Sequence, residues 1–284
     1  MTIAKRHVAV EELLGVFLNF TPRAADTDLF RADMRILNQT LLRDSIKECH
    51  AVSKGTQLPG MAQRTEIHRV YSRKTKELAA LYPFVFSVEN ALRHTAAEFY
   101  SEAFNDDAWW AVIRNAISAG HDEKHFKVDP QGKKNIKGVA VTPKFIKQLF
   151  YGFNNMSASQ RRIMQRTDVI DEMYLCLSLR SLCNIIEADW NLSRNMFVSN
   201  NALGGELRKQ DMSNWFNILI TARNELFHCN PLGDISKISR ACESILDKLG
   251  FHLGEFDNQL REIQVTRTPT NTLRSAYHLV PPCE

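Results

Sequence analysis

The chain has 284 residues and a mass of 32.5 kDa, enough for one large domain or two small ones with a true core. Hydrophobic residues make up 44% and charged residues 24%, which excludes a wholly disordered chain, while only 12 Gly and 9 Pro argue against loop-rich all-β folds. The net charge of +4 is too mild to demand nucleic acid by itself, and the longest apolar runs are far too short to span a bilayer. The first residues reach the pair Glu11-Glu12 before any long apolar stretch, so no secretory signal is read and a cytoplasmic location is expected. Six cysteines are spread without a Cys-x-x-Cys, which fits reduced, buried thiols better than disulfides or zinc.

Apolar spacing predicts helices through most of the chain. Val8–Phe20 forms the lead-in within residues 1–27, and Leu29–Val52 sets Phe30, Met34, Leu37, Leu41, Leu42 and Ile46 on one face. Ser53–Gly60 reads as a loop. Gln63–Leu81 is a charged helix that Pro83 is expected to end, followed by helices over Phe84–Ala103 and Asp107–Ala119. Residues 120–143 break the pattern with Asp-Pro, Lys-Gly and Thr-Pro and the β-prone Val139-Ala140-Val141, predicting an exposed insertion or small hairpin. Helices resume at Lys144–Phe153, Ser159–Arg166 and Val169–Ala188, the last with Asp168 as N-cap. Asp211–His228 is stopped by Asn230-Pro231, and Ile235–Leu249 ends at Gly250. The expected fold is all-α, a multi-helix bundle over residues 28–264, with an extended tail at 265–284.

The segment Thr221-Ala-Arg223-Asn224-Glu-Leu-Phe-His228-Cys-Asn-Pro231 carries the strongest chemical signal. The Arg-to-His spacing alone selects nothing, since chance supplies about one such pair in a chain of this composition, and Arg43…His50 and Arg114…His121 come close to it. Context selects 223–228: its helix has an apolar side of Trp215, Ile218, Leu219, Ala222 and Leu226, and His228 falls in the last turn. There the helix dipole favours the imidazolium and is expected to raise the histidine pKa towards a value suited to proton transfer. Arg223 lies about 7.5 Å back along the axis and about 140° round it, so a cleft where two such helices meet suits the pair better than one helix face. A surface arginine and a helix-capping histidine are the competing reading.

Other candidates are weaker. His121-Asp-Glu-Lys-His125 lacks the glutamate that a zinc protease helix needs and reads as a solvated loop. Trp109-Trp110 could stack bases but is expected to cover the core. Glu187 and Asp189 form no metal pattern, and Gly204-Gly205 lacks the Lys-Ser/Thr of a phosphate loop. Seven lysines and one acid lie between Lys124 and Lys147, a local excess that either forms a plain solvated loop or holds RNA phosphates, with Lys133, Lys134 and Lys137 as the candidate contacts.

Arg-Asn-x-x-x-His-x-x-Pro on a C-terminal helix resembles the signature of HEPN-superfamily ribonucleases. Two further blocks resemble their Abi-like, abortive-infection branch: Tyr82-Pro-Phe-Val-Phe-Ser-Val-Glu89-Asn-Ala-Leu-Arg93-His, and Phe145-Ile-Lys-Gln-Leu-Phe-Tyr-Gly152-Phe after a polar insertion. The resemblance spans about residues 30–250. It implies an all-helical domain, a homodimer with a composite site, and RNA cleavage without metal or other cofactor. It assigns Arg223 and His228 to catalysis, Asn224 to support, and Glu89 and Arg93 as site neighbours. RNA is the expected partner, with an antitoxin or phage-derived trigger as regulator and no membrane involved. Asn230 stands where some such toxins carry a tyrosine that a partner enzyme modifies, so silencing by that route is not expected. The alternatives on the same scaffold are a non-catalytic RNA-binding or sensor protein and an interaction module of a defence assembly.

Overall fold

The computed structural model describes residues 35–53, 60–126, 134–166, 172–197 and 207–251, together with Leu29, Ala32 and Asp33. The fold of these residues is all-α apart from one two-stranded hairpin. In chain order the helices are α1 (Gln39–Ser53), α2 (Gly60–Phe104), α3 (Ala111–Ser118), α4 (Pro143–Asn154), α5 (Ala158–Arg166), α6 (Glu172–Cys176), α7 (Leu179–Ala188), α8 (Trp190–Ser193), α9 (Lys209–Phe227) and α10 (Ile235–Lys248). Strands β1 (Lys134–Ile136) and β2 (Val139–Val141) lie between α3 and α4. Among the described residues no helix is long and apolar enough to cross a membrane. The expected helix at Val8–Phe20, the Asp168 cap, the turn at Gly204-Gly205 and the tail at 265–284 lie outside the described residues.

Several boundaries differ from the periodicity reading, among them the helix expected from Asp107, which begins at Ala111, and three have a clear local reason. The expected Leu29–Val52 helix is interrupted at Leu37 and Asn38, where Asn38 Oδ1 accepts from the Leu41 amide at 3.0 Å and caps α1. The expected Val169–Ala188 helix is likewise split before α7, with the Ser178 hydroxyl accepting from the Ser181 amide at 3.1 Å. Pro83 does not end its helix but lies inside the 45-residue α2. A proline in a helix interior costs about 3 kcal/mol. Burying Leu81, Phe84 and Val85 around it, at about 1.5–3 kcal/mol each, outweighs that cost.

The chain divides into two compact units. The first comprises residues 1–83, 222–236 and 254–284. Its core holds Leu41, Leu42 and Ile46 of α1, Ile67, Val70, Leu78 and Leu81 of α2, and Leu226 of α9. Arg64 grips the buried Asp33 carboxylate with two nitrogens (2.8 and 2.7 Å), and His68 Nε2 stands 2.8 Å from the same group. Lys74 and Arg73 of α2 pair with Asp44 and Glu48 of α1.

The second unit comprises residues 84–221 and 237–253. An aromatic cluster forms its centre: Tyr100, Phe104, Trp109 and Phe145 pack with ring centroids 4.5 to 6.3 Å apart, and Trp109 and Trp110 are both fully buried. The two tryptophans are therefore core residues, as expected, and offer no face to a base. At Gly152 of α4 an added Cβ would come within 2.8 Å of Leu177 Cδ2, so a larger residue there would require that buried leucine to shift. The hairpin pairs Lys134 with Val141 and Ile136 with Val139 around a Lys137-Gly138 turn whose two residues both take positive φ, the geometry that matches strand twist. Thr142 then leaves β2, donates through its amide to Asp189 Oδ2 at 2.8 Å and caps α4 through its hydroxyl.

Candidate active site at the end of helix α9

Helix α9 buries Met212, Phe216, Leu219, Ile220, Ala222 and Leu226, leaving Trp215 and Ile218 only half-buried. The buried stripe is thus rotated slightly from the one read in the sequence. Arg223, Asn224 and His228 all fall in the first unit. Asn224 and His228 are four residues apart and both exposed, the relation that puts side chains on one face. Arg223 is half-buried and pairs instead with Phe227, its guanidinium carbon 4.0 Å from the ring centroid. Phe227 is thus a support for Arg223 that the sequence reading did not single out.

The helix stops before Asn230-Pro231 acts. Its last bonds run from the Asn230 amide to the Glu225 carbonyl (2.8 Å) and from the Cys229 amide to the Leu226 carbonyl (3.2 Å), with Cys229 at φ +49°. This left-handed closure satisfies carbonyls at the helix end and makes His228 the C-cap. The His228 amide donates to Asn224 O at 3.1 Å, and its carbonyl accepts from Asn38 Nδ2 at 3.3 Å. Asn38 also donates its own amide to the Tyr71 hydroxyl at 3.0 Å. One asparagine thus ties α1, α2 and the end of α9 together. Its signal in the sequence was a polar cap residue ahead of the Leu41-Leu42 run. Asn38→Ala should cost about 1 kcal/mol through loss of the cap alone. Urea denaturation checks that figure, and an unchanged midpoint would deny Asn38 a structural role.

Glu89 and Arg93 belong to the second unit, where both are buried. Arg93 Nη2 donates to Glu89 Oε1 at 2.5 Å and Nη1 to the Leu177 carbonyl at 2.9 Å, with a further short bond to the Tyr174 carbonyl. This is a pair that fastens the chain between α6 and α7 to α2.

Two of the three candidate lysines lie among the described residues, and both make contacts within the fold. Lys133 lies outside the described residues. Lys134 is buried, its ammonium donating to the Glu123 carbonyl and standing 5.9 Å from the Phe126 ring centroid. Lys137 is exposed but reaches Asp106 at 2.6 Å, and this hydrogen bond holds the Asp106 carboxyl below the usual carboxylate range. Lys134→Ala is accordingly expected to lower stability by about 1.5–3 kcal/mol, the range for a hydrogen bond from a charged group. A melting curve tests this; an unchanged melt with weaker RNA binding would return Lys134 to the phosphate contacts.

The remaining candidates resolve locally. Arg114 donates to the Met164 carbonyl at 3.1 Å and lies over the Trp110 ring, while His121 stacks on His125 at 4.7 Å beside a 3-10 turn capped by Asp122. Among the described residues no three His, Cys, Asp or Glu side chains are grouped to hold a metal. Cys49, Cys176, Cys183, Cys229 and Cys242 are free thiols, and burial pushes those of Cys49 and Cys242 up to about 12, which suppresses thiolate chemistry. No protein-family model, no curated protein and no solved structure matches this chain.

Proposed function

We propose that the chain is a metal-independent endoribonuclease of the HEPN type, acting as a toxin or abortive-infection effector, with Arg223, Asn224 and His228 as its catalytic group. The observation that carries this reading is the end of α9. There an exposed histidine stands at the C-cap of a helix, its amide and carbonyl both hydrogen-bonded, five residues after a guanidinium held on an aromatic ring. A histidine on fixed backbone suits proton transfer, and a guanidinium suits the charge of a phosphorane.

In this mechanism an RNA 2′-hydroxyl attacks its neighbouring phosphorus. His228 takes the hydroxyl proton as the new P–O bond forms. The 5′-oxygen leaves and takes a proton from the His228 of a second copy, so the working unit is a homodimer with a composite site. Arg223 stabilises the growing charge on the non-bridging oxygens, the kind of prearranged support that is usually the largest catalytic term. The products are a 2′,3′-cyclic phosphate and a 5′-hydroxyl. Single-turnover incubation of the full chain with labelled RNA in EDTA tests the reading. Cleavage is expected; RNA bound but left intact would make the protein a binder or sensor, and no salt-dependent binding at all would favour an interaction module.

A further inference from the structure

Two aromatic rings stand beside the catalytic group, one of them the Phe227 ring that carries Arg223. Tyr82 of α2 and Phe227 of α9 lie in the same compact unit, with ring centroids 5.3 Å apart and planes tilted by 47°. Both rings stay in solvent, Tyr82 being 40% and Phe227 47% exposed, while the aromatic cluster of the second unit is almost fully buried. Single exposed apolar side chains are ordinary. Here, however, two rings touch, a guanidinium lies on one of them, and the next residue in the chain is His228. Aromatic surface adjoining a cation is the combination by which proteins hold unpaired bases, the rings taking the base and the cation the phosphate.

We propose that Tyr82 and Phe227 form a stacking platform for an unpaired nucleobase next to the phosphate held by Arg223. The proposal rests on the ribonuclease reading for its ligand and adds what that reading lacks, a preference for single-stranded RNA. A paired base is covered by its neighbours in the stack and cannot lie on the rings, so a duplex is rejected without any contact to base edges. The platform is also indifferent to base identity, because every base has a π-face. Arg223 and the platform are mechanically linked, since the guanidinium and any base share the surroundings of Phe227.

The test uses the full chain and a short single-stranded RNA carrying 2-aminopurine, whose fluorescence is quenched by stacking, read together with anisotropy for affinity. To keep the RNA intact, binding is measured in His228→Ala. Tyr82→Leu and Phe227→Leu should each weaken binding by roughly tenfold and abolish the quench, the size expected for losing one base–aromatic stack. Tyr82→Phe and Phe227→Tyr should keep both signals, which guards against a simple folding defect. The same RNA annealed to its complement should show no such quench. If the Leu variants bind and quench like the parent, the platform is overturned, and cleavage by the otherwise unaltered chain in EDTA then decides the ribonuclease reading separately. If RNA is bound with a platform-dependent quench but never cut, the platform stands and the nuclease reading falls.

Discussion

His228→Ala and Arg223→Ala are each expected to lower RNA cleavage by at least about 10²-fold, the loss typical of removing one acid–base group or one oxyanion-type donor. The two variants should part company on stability. His228 is exposed at the C-cap, and its structural contacts are made by its amide and carbonyl, which alanine retains. Its replacement should leave the melting temperature almost unchanged. Arg223 is half-buried on Phe227, so alanine there also removes a cation–π contact of about 0.5–1 kcal/mol. Arg223→Lys keeps the charge but not the planar fork, and should recover little activity. Loss of folding in His228→Ala, with activity per folded molecule retained, would make the histidine a cap and nothing more.

Arg93→Met should destabilise the second unit by about 3–5 kcal/mol, because it leaves the Glu89 carboxylate buried without its cation. It also strips the Tyr174 and Leu177 carbonyls of their donor. A loss of that size is a large fraction of the 5–15 kcal/mol that ordinarily holds a domain together, so the urea midpoint should fall sharply. The same variant separates the two roles open to this pair. A structural clamp predicts lower stability with cleavage per folded molecule intact. A site neighbour predicts lost cleavage at an unchanged midpoint, and that result would assign Glu89 and Arg93 to the active site.

The sequence made the helical class legible because burial of an apolar stripe follows a period that can be counted, as in α4 and α10. It misplaced the breaks. Asn38 and Ser178 interrupt apolar runs whose period is otherwise unbroken, and their capping bonds are visible only when the amide three residues on is seen to need an acceptor. Pro83 misled in the opposite sense: a rule about local bonding yields where burial on both sides is worth more. At the candidate site, the Arg223-to-His228 pattern and the end of α9 could be read directly. The lysines could not, since a count of charges does not reveal that Lys134 is buried and Lys137 reaches an acid thirty-one positions earlier. Phe227 was missed although it stands four residues from Arg223, the spacing at which two helical side chains meet.

In the proposed mechanism the end of α9 uses the RNA's own 2′-hydroxyl as nucleophile and needs no metal. The most direct measurement takes an RNA that the protein cuts in EDTA, replaces the nucleotide 5′ of the scissile phosphate by its 2′-deoxy form, and compares the two substrates and their product ends. A 2′,3′-cyclic phosphate is expected from the all-ribose substrate, with no cut at the deoxy position. Equal cleavage of both substrates, or cleavage that appears only on adding a divalent cation, would contradict it.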